Sequence, residues 1–552
     1  MARRSLFDRL VAAVSPRRGL ERDRARAAAS VMRNYDAAQS RRGNSGWAPG
    51  NTGPTGALAG SLPALRARAR DLDRNNGYYR AAVRTLVQHE IGAGITPSSN
   101  LSQNRVRGSG LDVAAAKRVD SARDNMWLRW AETTLFDFDG RQNVYGLQAL
   151  ARRTAINSGE CLLRERVLSA ADARRLGSPL RLQYQILEGD FLDTSRDGPR
   201  GDGSVVIQGI EFDRDGRRTA YWLHRTHPGE GTAWNLRTGS ESVRVPAAEI
   251  VHLFRQDRPG QMRGVPEGTA AIIALQDLAD YAEAWLMRGK IEACLGVIIH
   301  DATGSEAAPN PITAAQAGQG DEAGLPQDPT ISADITVSPG MVMQLPAGKT
   351  VTTLSPSSSG GQVEFMRQAL RSVAAAFGVG YDQVSTDTSQ ANYSSTRAAR
   401  LQLAAQVEQT QWHLLIPTLC QPVWAAMCRI GFIQGLWVDA PALAEWQPPP
   451  MPVVEPAVDY PAIRDAVRSN LLSLRKAILQ QGYNPEHLLA EIASFQNLAD
   501  KLGVVGDADP RRTSQQGQIQ AALAPTDKAA PPTAPTPETP APADKNAPAG
   551  EE

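Results

Sequence analysis

Chemistry needs polar side chains at set spacings, and four groups in the sequence invite a test. Gly348-Lys349-Thr350 resembles the end of a phosphate-binding loop. Such a loop needs a further upstream glycine so that backbone amides cradle phosphate, and Met343 stands there. The context MVMQLPAGKTVTTL also reads as strand–turn–strand rather than strand–loop–helix. The acids Glu211, Asp213 and Asp215 alternate into a turn. Alternation puts Glu211 and Asp213 on one strand face, where a magnesium-dependent nuclease would chelate its ion. The plainer reading is a solvent-facing strand edge with Asp215-Gly216 as its turn. Of the seven histidines, His224 and His227 lie near one strand end without an obvious third ligand, which favours surface or capping roles over zinc. Asp137 and Asp139 before Gly140 suggest an Asx-type turn without calcium-loop spacing. There is no Gly-x-Ser-x-Gly elbow. The residues themselves specify no catalytic constellation, no cofactor and no metal site.

The elements that would position such groups belong to a long chain of 552 residues, which calls for several domains. Hydrophobic residues at 42% and charged residues at 21% are ordinary for a folded protein, so wholesale disorder is excluded. With 59 basic and 58 acidic residues the formal charge is +1, which excludes a strongly basic, tight nucleic-acid binder. Four cysteines without a CxxC pair exclude a disulfide scaffold and fit a reducing compartment. The most apolar stretch, Leu414–Val438, contains Pro417, Gln421, Pro422, Arg429 and Gln434, so it reads as a buried helix pair, with no membrane span expected.

Residues 1–50 hold 11 arginines against 4 acids, which reads as a flexible arm or a DNA- or partner-binding arm; Gly43–Gly60 reads as loop. Helical patterns begin at Leu62, with Asn76 capping a second helix to about Glu90, then continue over Asp112–Trp130 and Val144–Asn157. Strands fit Cys161–Val167, Leu180–Leu187, Val205–Phe212, Thr219–His224 and Ile250–Phe254. Pro266 opens a long helix to about Ala293. Short strands then flank a Gly/Pro/Ala-rich insertion at Asp301–Asp334. Val363, Met366, Leu370, Val373 and Phe377 space a clean amphipathic helix over Gln362–Phe377. A polar stretch, Tyr381–Tyr393, precedes a long helical region from about Ser394 to Gly435, with Pro417 and Pro422 as kinks. After a proline-rich linker come helices over Tyr460–Gln481 and Pro485–Leu502. Residues 501–552 hold 9 of the 37 prolines and no apolar period, so they read as a disordered tail.

Several stretches, in fixed order, resemble the lambda-type family of tailed-bacteriophage portal proteins. They are RNYDAAQSRRGNSGW with LRARARDLDRNNGYYRAAVRTLVQHEIGAGITP, then FDGRQNVYGLQALARRTAINSGE, EIVHLFRQDRPGQMRGVP and YDQVSTDTSQANYSSTRAAR. The resemblance runs from about residue 30 to 503. It implies an α+β, mainly helical portal fold of wing, stem, clip and crown, assembled as a ring of about 12 subunits with a central channel. It further implies double-stranded DNA in the channel, and a terminase motor, the major capsid protein and head-tail connector proteins as partners. The implied place is the portal vertex of the virion, after assembly in the host cytoplasm, with no enzymatic activity. By position, residues 1–60 would be a basic arm, 61–265 the wing, 266–293 and 361–378 stem helices, and 294–360 the clip with its insertion 301–334. The tunnel loop would be 379–393, the returning helices and linker 394–456, the crown 457–503, and the tail 504–552.

The tunnel-loop assignment makes Asp382, Gln383, Ser385, Thr386, Asp387, Thr388, Ser389, Gln390 and Asn392 DNA-facing, and Asn392, Tyr393, Ser394, Ser395 and Arg397 the family motif at the loop–helix junction. Composition agrees with that role. Tyr381–Tyr393 contains two acids and no base. Hydroxyls and amides touch phosphates without an electrostatic trap, whereas each neutralised phosphate would add salt-dependent affinity. Arg397 and Arg400 either touch DNA or pair with acids of an adjacent subunit; Tyr393 is either exposed or a core aromatic. Two other readings stay open: a magnesium-dependent enzyme using Glu211 and Asp213, and a head scaffold or connector without a channel.

Overall fold

The computed structural model describes residues 51–102, 112–230, 241–293, 297–301, 349–353, 361–389, 392–453 and 455–504. The basic arm before residue 51, the insertion beyond Asp301, Gln390 and the tail beyond Val504 lie outside the described residues. The chain divides into a large unit up to Met451 and a smaller one from Pro452.

Three apolar clusters hold the large unit together, and the strand Glu160–Val167 shows how. It is the centre of an antiparallel sheet with Leu182–Glu188 on one side and Ile250–Phe254 on the other. Adjacent strand residues face opposite ways. Leu163 therefore joins a cluster with Trp130, Tyr184, Trp424 and Met427, while Leu162 joins another with Ile210, Phe212, Tyr221 and Leu223. Both faces being covered, the strand is apolar on consecutive positions. The third cluster packs Leu72, Tyr79 and Leu86 of two N-terminal helices, Leu62–Asn75 and Gly77–Glu90, against Leu275, Val373, Phe377 and Leu403. Asn76 separates those helices because its Oδ1 accepts hydrogen bonds from the amides of Tyr78 and Tyr79, both at 3.0 Å.

A second sheet holds five short antiparallel strands between Gly198 and Pro246, paired in sequence order. The single strand expected over Val205–Phe212 is two, Val205–Ile207 and Ile210–Phe212. Gln208 (φ 51°) and Gly209 (φ 78°) turn the chain between them, and the apolar run hid that reversal. The expected turn at Asp215-Gly216 is present, with Gly216 at φ 80°.

Pro266 leads through a short 3-10 turn into the helix Ile272–Ala293. The helix Gln362–Phe377 has the expected bounds and closes on Gly378 in the left-handed conformation. Between them, Val297–Asp301 pairs antiparallel with Lys349–Thr353. Lys349 and Thr350 thus stand in a strand, which removes the phosphate-loop reading.

Tyr393–Ile433 is one continuous helix, long and apolar enough to cross a membrane by length and composition. In this fold it is a core helix, with Leu415, Trp424 and Met427 buried. Its middle, Gln411–Cys420, is π-helical around Pro417, which has no N–H to donate and crowds the preceding turn. Pro422 stands in the first turn of the α segment Gln421–Ile433 that follows. One element contradicts a loop expectation: Pro54–Ala59 is helical. Ala444–Gln447, leading into the linker, pairs with Thr96–Ser99.

In the small unit, the helix expected over Tyr460–Gln481 is two, Pro456–Arg468 and Leu474–Gln480. Asn470 at φ 60° breaks it, and Ser473 caps the second piece through Lys476 N. Pro485–Leu502 is helical as expected.

Candidate functional site

The polar stretch after Phe377 is more ordered than its composition suggests. Tyr381–Ser385 is a short helix, and Val384 on it is buried in the cluster of Tyr79 and Phe377. The expectation of a loop from Tyr381 onward is therefore corrected: one apolar residue in a polar run anchors a turn that periodicity could not reveal. Gln383 accepts a hydrogen bond from Gly380 N at 3.0 Å, and the Ser385 hydroxyl donates to the Tyr381 carbonyl at 2.8 Å. Asp382 sits in the first turn, where a carboxylate favours the helix. Thr386 ends the helix at φ 57°.

Asp387 organises the residues after that turn. It accepts from the Tyr381 hydroxyl at 3.2 Å and from Ser389 N at 3.0 Å. The Ser389 hydrogen bonds hold its carboxyl below the usual range. Thr386, Thr388, Ser389 and Asn392 are exposed. Asn392 caps the long helix, its Oδ1 accepting from Ser395 N at 2.8 Å while Ser395 Oγ donates to the Asn392 carbonyl at 3.0 Å. Ser394 Oγ donates to Asn392 Oδ1 at 3.0 Å. Tyr393 is 56% exposed rather than a core aromatic, and its hydroxyl accepts from Arg397 Nη1 at 2.8 Å.

The tertiary structure also brings up bases that the segment itself lacks. Arg371 stands 5.8 Å from the Tyr381 ring centroid. Arg367 is held further protonated by its hydrogen bond with Tyr381 and by nearby Glu364. Both pair with Glu364, at 3.3 and 3.7 Å. Their spacing of one helical turn was the available signal.

Other charged residues of the resembling stretches meet at a fully buried junction. Glu160 accepts from Arg263 Nε at 2.7 Å and from Arg66, and lies 3.0 Å from His252 Nε2. Burial pushes its carboxyl up, but Arg263 and Arg66 outweigh that and hold it well below the carboxylate range. Arg152 is likewise buried between Glu90 and Glu267. Beside Glu160, the backbone of Gly264 crosses that of Gly159, and a Cβ on Gly264 would lie 1.9 Å from the Gly159 carbonyl oxygen. Since backbone must move, Gly264→Ala is expected to cost about 1–3 kcal/mol, read as a lowered Tm. No change in Tm would show that the crossing relaxes freely.

The candidate metal groups are otherwise employed. Glu211 is buried, accepting from Arg244 at 2.7 and 2.9 Å and from Trp222 at 3.1 Å. Asp213 accepts from the amides of Asp215 and Arg217, at 3.0 and 2.8 Å. Glu188, Asp190 and His227 lie close together, but Arg70 pairs with both carboxylates.

Among the described residues, the motifs singled out in the sequence cap helices, turn the chain and brace buried junctions. The family model "Phage portal protein, lambda family" matches residues 40–411. The chain is 26% identical over 449 residues to the probable portal protein of Halomonas phage phiHAP-1, covering 80% of this chain and 81% of that one. It is 23% identical over 369 residues to portal protein B of Escherichia phage lambda, covering 64% and 66%. A solved chain from the neck of a native GTA particle computed with C12 symmetry is similar at 15% identity and a TM-score of 0.40, covering 77% and 94%. The chain belongs to the lambda family of phage portal proteins. It is a portal protein of the virion's portal vertex, from a structural rather than an enzymatic family.

Proposed function

We propose that about twelve copies form a ring whose channel passes double-stranded DNA inward under a terminase motor and outward at ejection. The ring sits in the shell of the major capsid protein and receives head-tail connectors. The chain carries no catalytic activity of its own. One observation carries the ring: the helices Ile272–Ala293 and Gln362–Phe377 leave the core with apolar side chains bare. Ile273, Leu286, Val363 and Phe365 are all more than half exposed. Apolar surface of that kind marks an interface, and each such side chain contributes about 1.5–3 kcal/mol when covered. Neighbouring copies cover it in a ring.

In this reading the helix pair is the stem, and Tyr381–Tyr393 is the tunnel segment at its inner end. Thr386, Thr388, Ser389 and Asn392 offer hydroxyls and an amide to passing phosphates. Asp382, Gln383, Ser385 and Asp387 hold the segment's shape. Arg367 and Arg371 are screened by Glu364, which keeps the wall from trapping a polyanion.

Native mass and negative-stain imaging of the purified chain test this. Rings of about twelve 59.4 kDa chains with a central hole are the expected result. A compact dimer that cleaves DNA with magnesium would overturn it.

A further inference from the structure

A cleft of about 830 Å³ opens between Gly216–Arg218, where the chain leaves its turn for the strand Arg218–Leu223, and the helix carrying Pro417 and Arg429, with Glu165, Tyr184 and His252 as its floor. A second lobe of about 390 Å³ continues from it along the helix to Arg255 and His413, sharing Arg218, His252 and Thr418. The channel reading does not use this cleft, although Ile250, His252 and Arg255 of one resembling stretch line it.

Its walls are unbalanced in charge. Arg217, Arg218, Arg255 and Arg429 line the two lobes, against a single acid, Glu165. Arg429 already neutralises Glu165. Arg218 donates to the Tyr221 hydroxyl at 3.2 Å, and Arg255 reaches Asp257 and Glu267 only at 3.9 Å. Among the described residues, Arg217 and Arg218 have no acidic side chain within salt-bridge distance. A second observation points to a ligand. Tyr184 is fully buried on the cleft floor, and among the described residues its hydroxyl has no hydrogen-bond partner. An unmade bond of that kind costs about 1–3 kcal/mol, which a ligand oxygen would recover.

The shape narrows the choice. Two connected lobes suit an extended ligand better than a lone ion. A cleft this small admits side chains but not a DNA duplex, whose major groove alone is about 12 Å wide. Phe212, Ile250, Pro417 and Pro422 add apolar wall, which a nucleic-acid backbone would leave unused. We propose that this cleft is a docking site for an acidic, partly apolar peptide segment of a partner protein, its carboxylates held by Arg217 and Arg218 and by the Tyr184 hydroxyl.

The test is fluorescence anisotropy on the full chain with a labelled peptide of alternating glutamate and leucine. The controls are its lysine–leucine counterpart and a short DNA duplex. The glutamate peptide should bind, and the lysine peptide should not. Arg217→Glu with Arg218→Glu, at two exposed positions where the chain enters the strand Arg218–Leu223, should weaken binding at least about tenfold with the protein still folded by its Tm. Tyr184→Phe should weaken it less and leave Tm unchanged or raised, since it removes only the unpartnered hydroxyl. Absence of binding, equal binding by the charge-reversed variant, or preferential displacement by DNA would overturn the proposal. So would loss of ring assembly in the charge-reversed variant, because a second copy would then be the occupant.

Discussion

Glu160→Gln is expected to destabilise the large unit by about 3–5 kcal/mol. The substitution keeps the shape and removes the charge. Arg263 is then left as a buried cation without a counter-ion among the described residues, and Arg66 keeps only Asp190 at 3.9 Å; both lie under 5% exposure. His252 supplies no negative charge in place of the lost carboxylate, and burial holds it below its usual range, against adding a third cation. Chemical denaturation of the full chain, followed by tryptophan fluorescence, measures the change. The comparison variant is Glu188→Gln, on the neighbouring strand at the same end of the sheet. Its side chain is 40% exposed and pairs with Arg70, so it should cost less than about 1 kcal/mol. Equal effects of the two would refute the account of the junction.

The same group sets a pH dependence. The folded carboxyl lies well below the ordinary 4.5, so its contribution is present above that value and disappears as pH falls through the folded value. The wild type should therefore lose stability on acidification below about 4.5 more steeply than Glu160→Gln, which has no such proton to take up. Parallel pH profiles would contradict this.

The second large effect belongs to the tunnel segment. Deleting Asp387–Ala391 is expected to leave ring assembly intact and to abolish packaging or retention of DNA. The structure explains why the cut begins there: Val384, which anchors the segment in the core, stays in place, and so does the Asn392 cap of the long helix. Loss of the ring on deletion would make the segment a core element. The complementary change is Thr388→Lys at an exposed position. In the proposed ring it adds about one positive charge per copy, and DNA affinity gains roughly one unit of salt dependence per phosphate neutralised. Rings of this variant should hold DNA at low salt, release it steeply as salt rises, and package slowly. A variant indistinguishable from wild type would remove Thr388 from the DNA path.

Where periodicity was strong, local structure was legible in the sequence. Gln362–Phe377 has the bounds that its apolar spacing dictates, and Asn76 caps the helix that its side chain invites, because both depend on neighbours in the chain. Family-like motifs were legible too, and they carried the portal assignment. Contacts between distant segments were not. Arg66, Glu160, His252 and Arg263 stand far apart in sequence, and only the crossing at Gly159 and Gly264 brings their charges to one buried point. Glu211 offered a metal-ligand reading beside the plainer one of an exposed strand edge, and the sheet instead buries it against Arg244 and Trp222. Val384, one apolar residue in a polar run, is buried because the helix Gly77–Glu90 gives it a core to enter. A sequence states which groups are available and how each prefers to turn its own backbone. Which of them lose water together, and so which charges must pair and which surfaces stay bare for other copies, is decided by long-range packing.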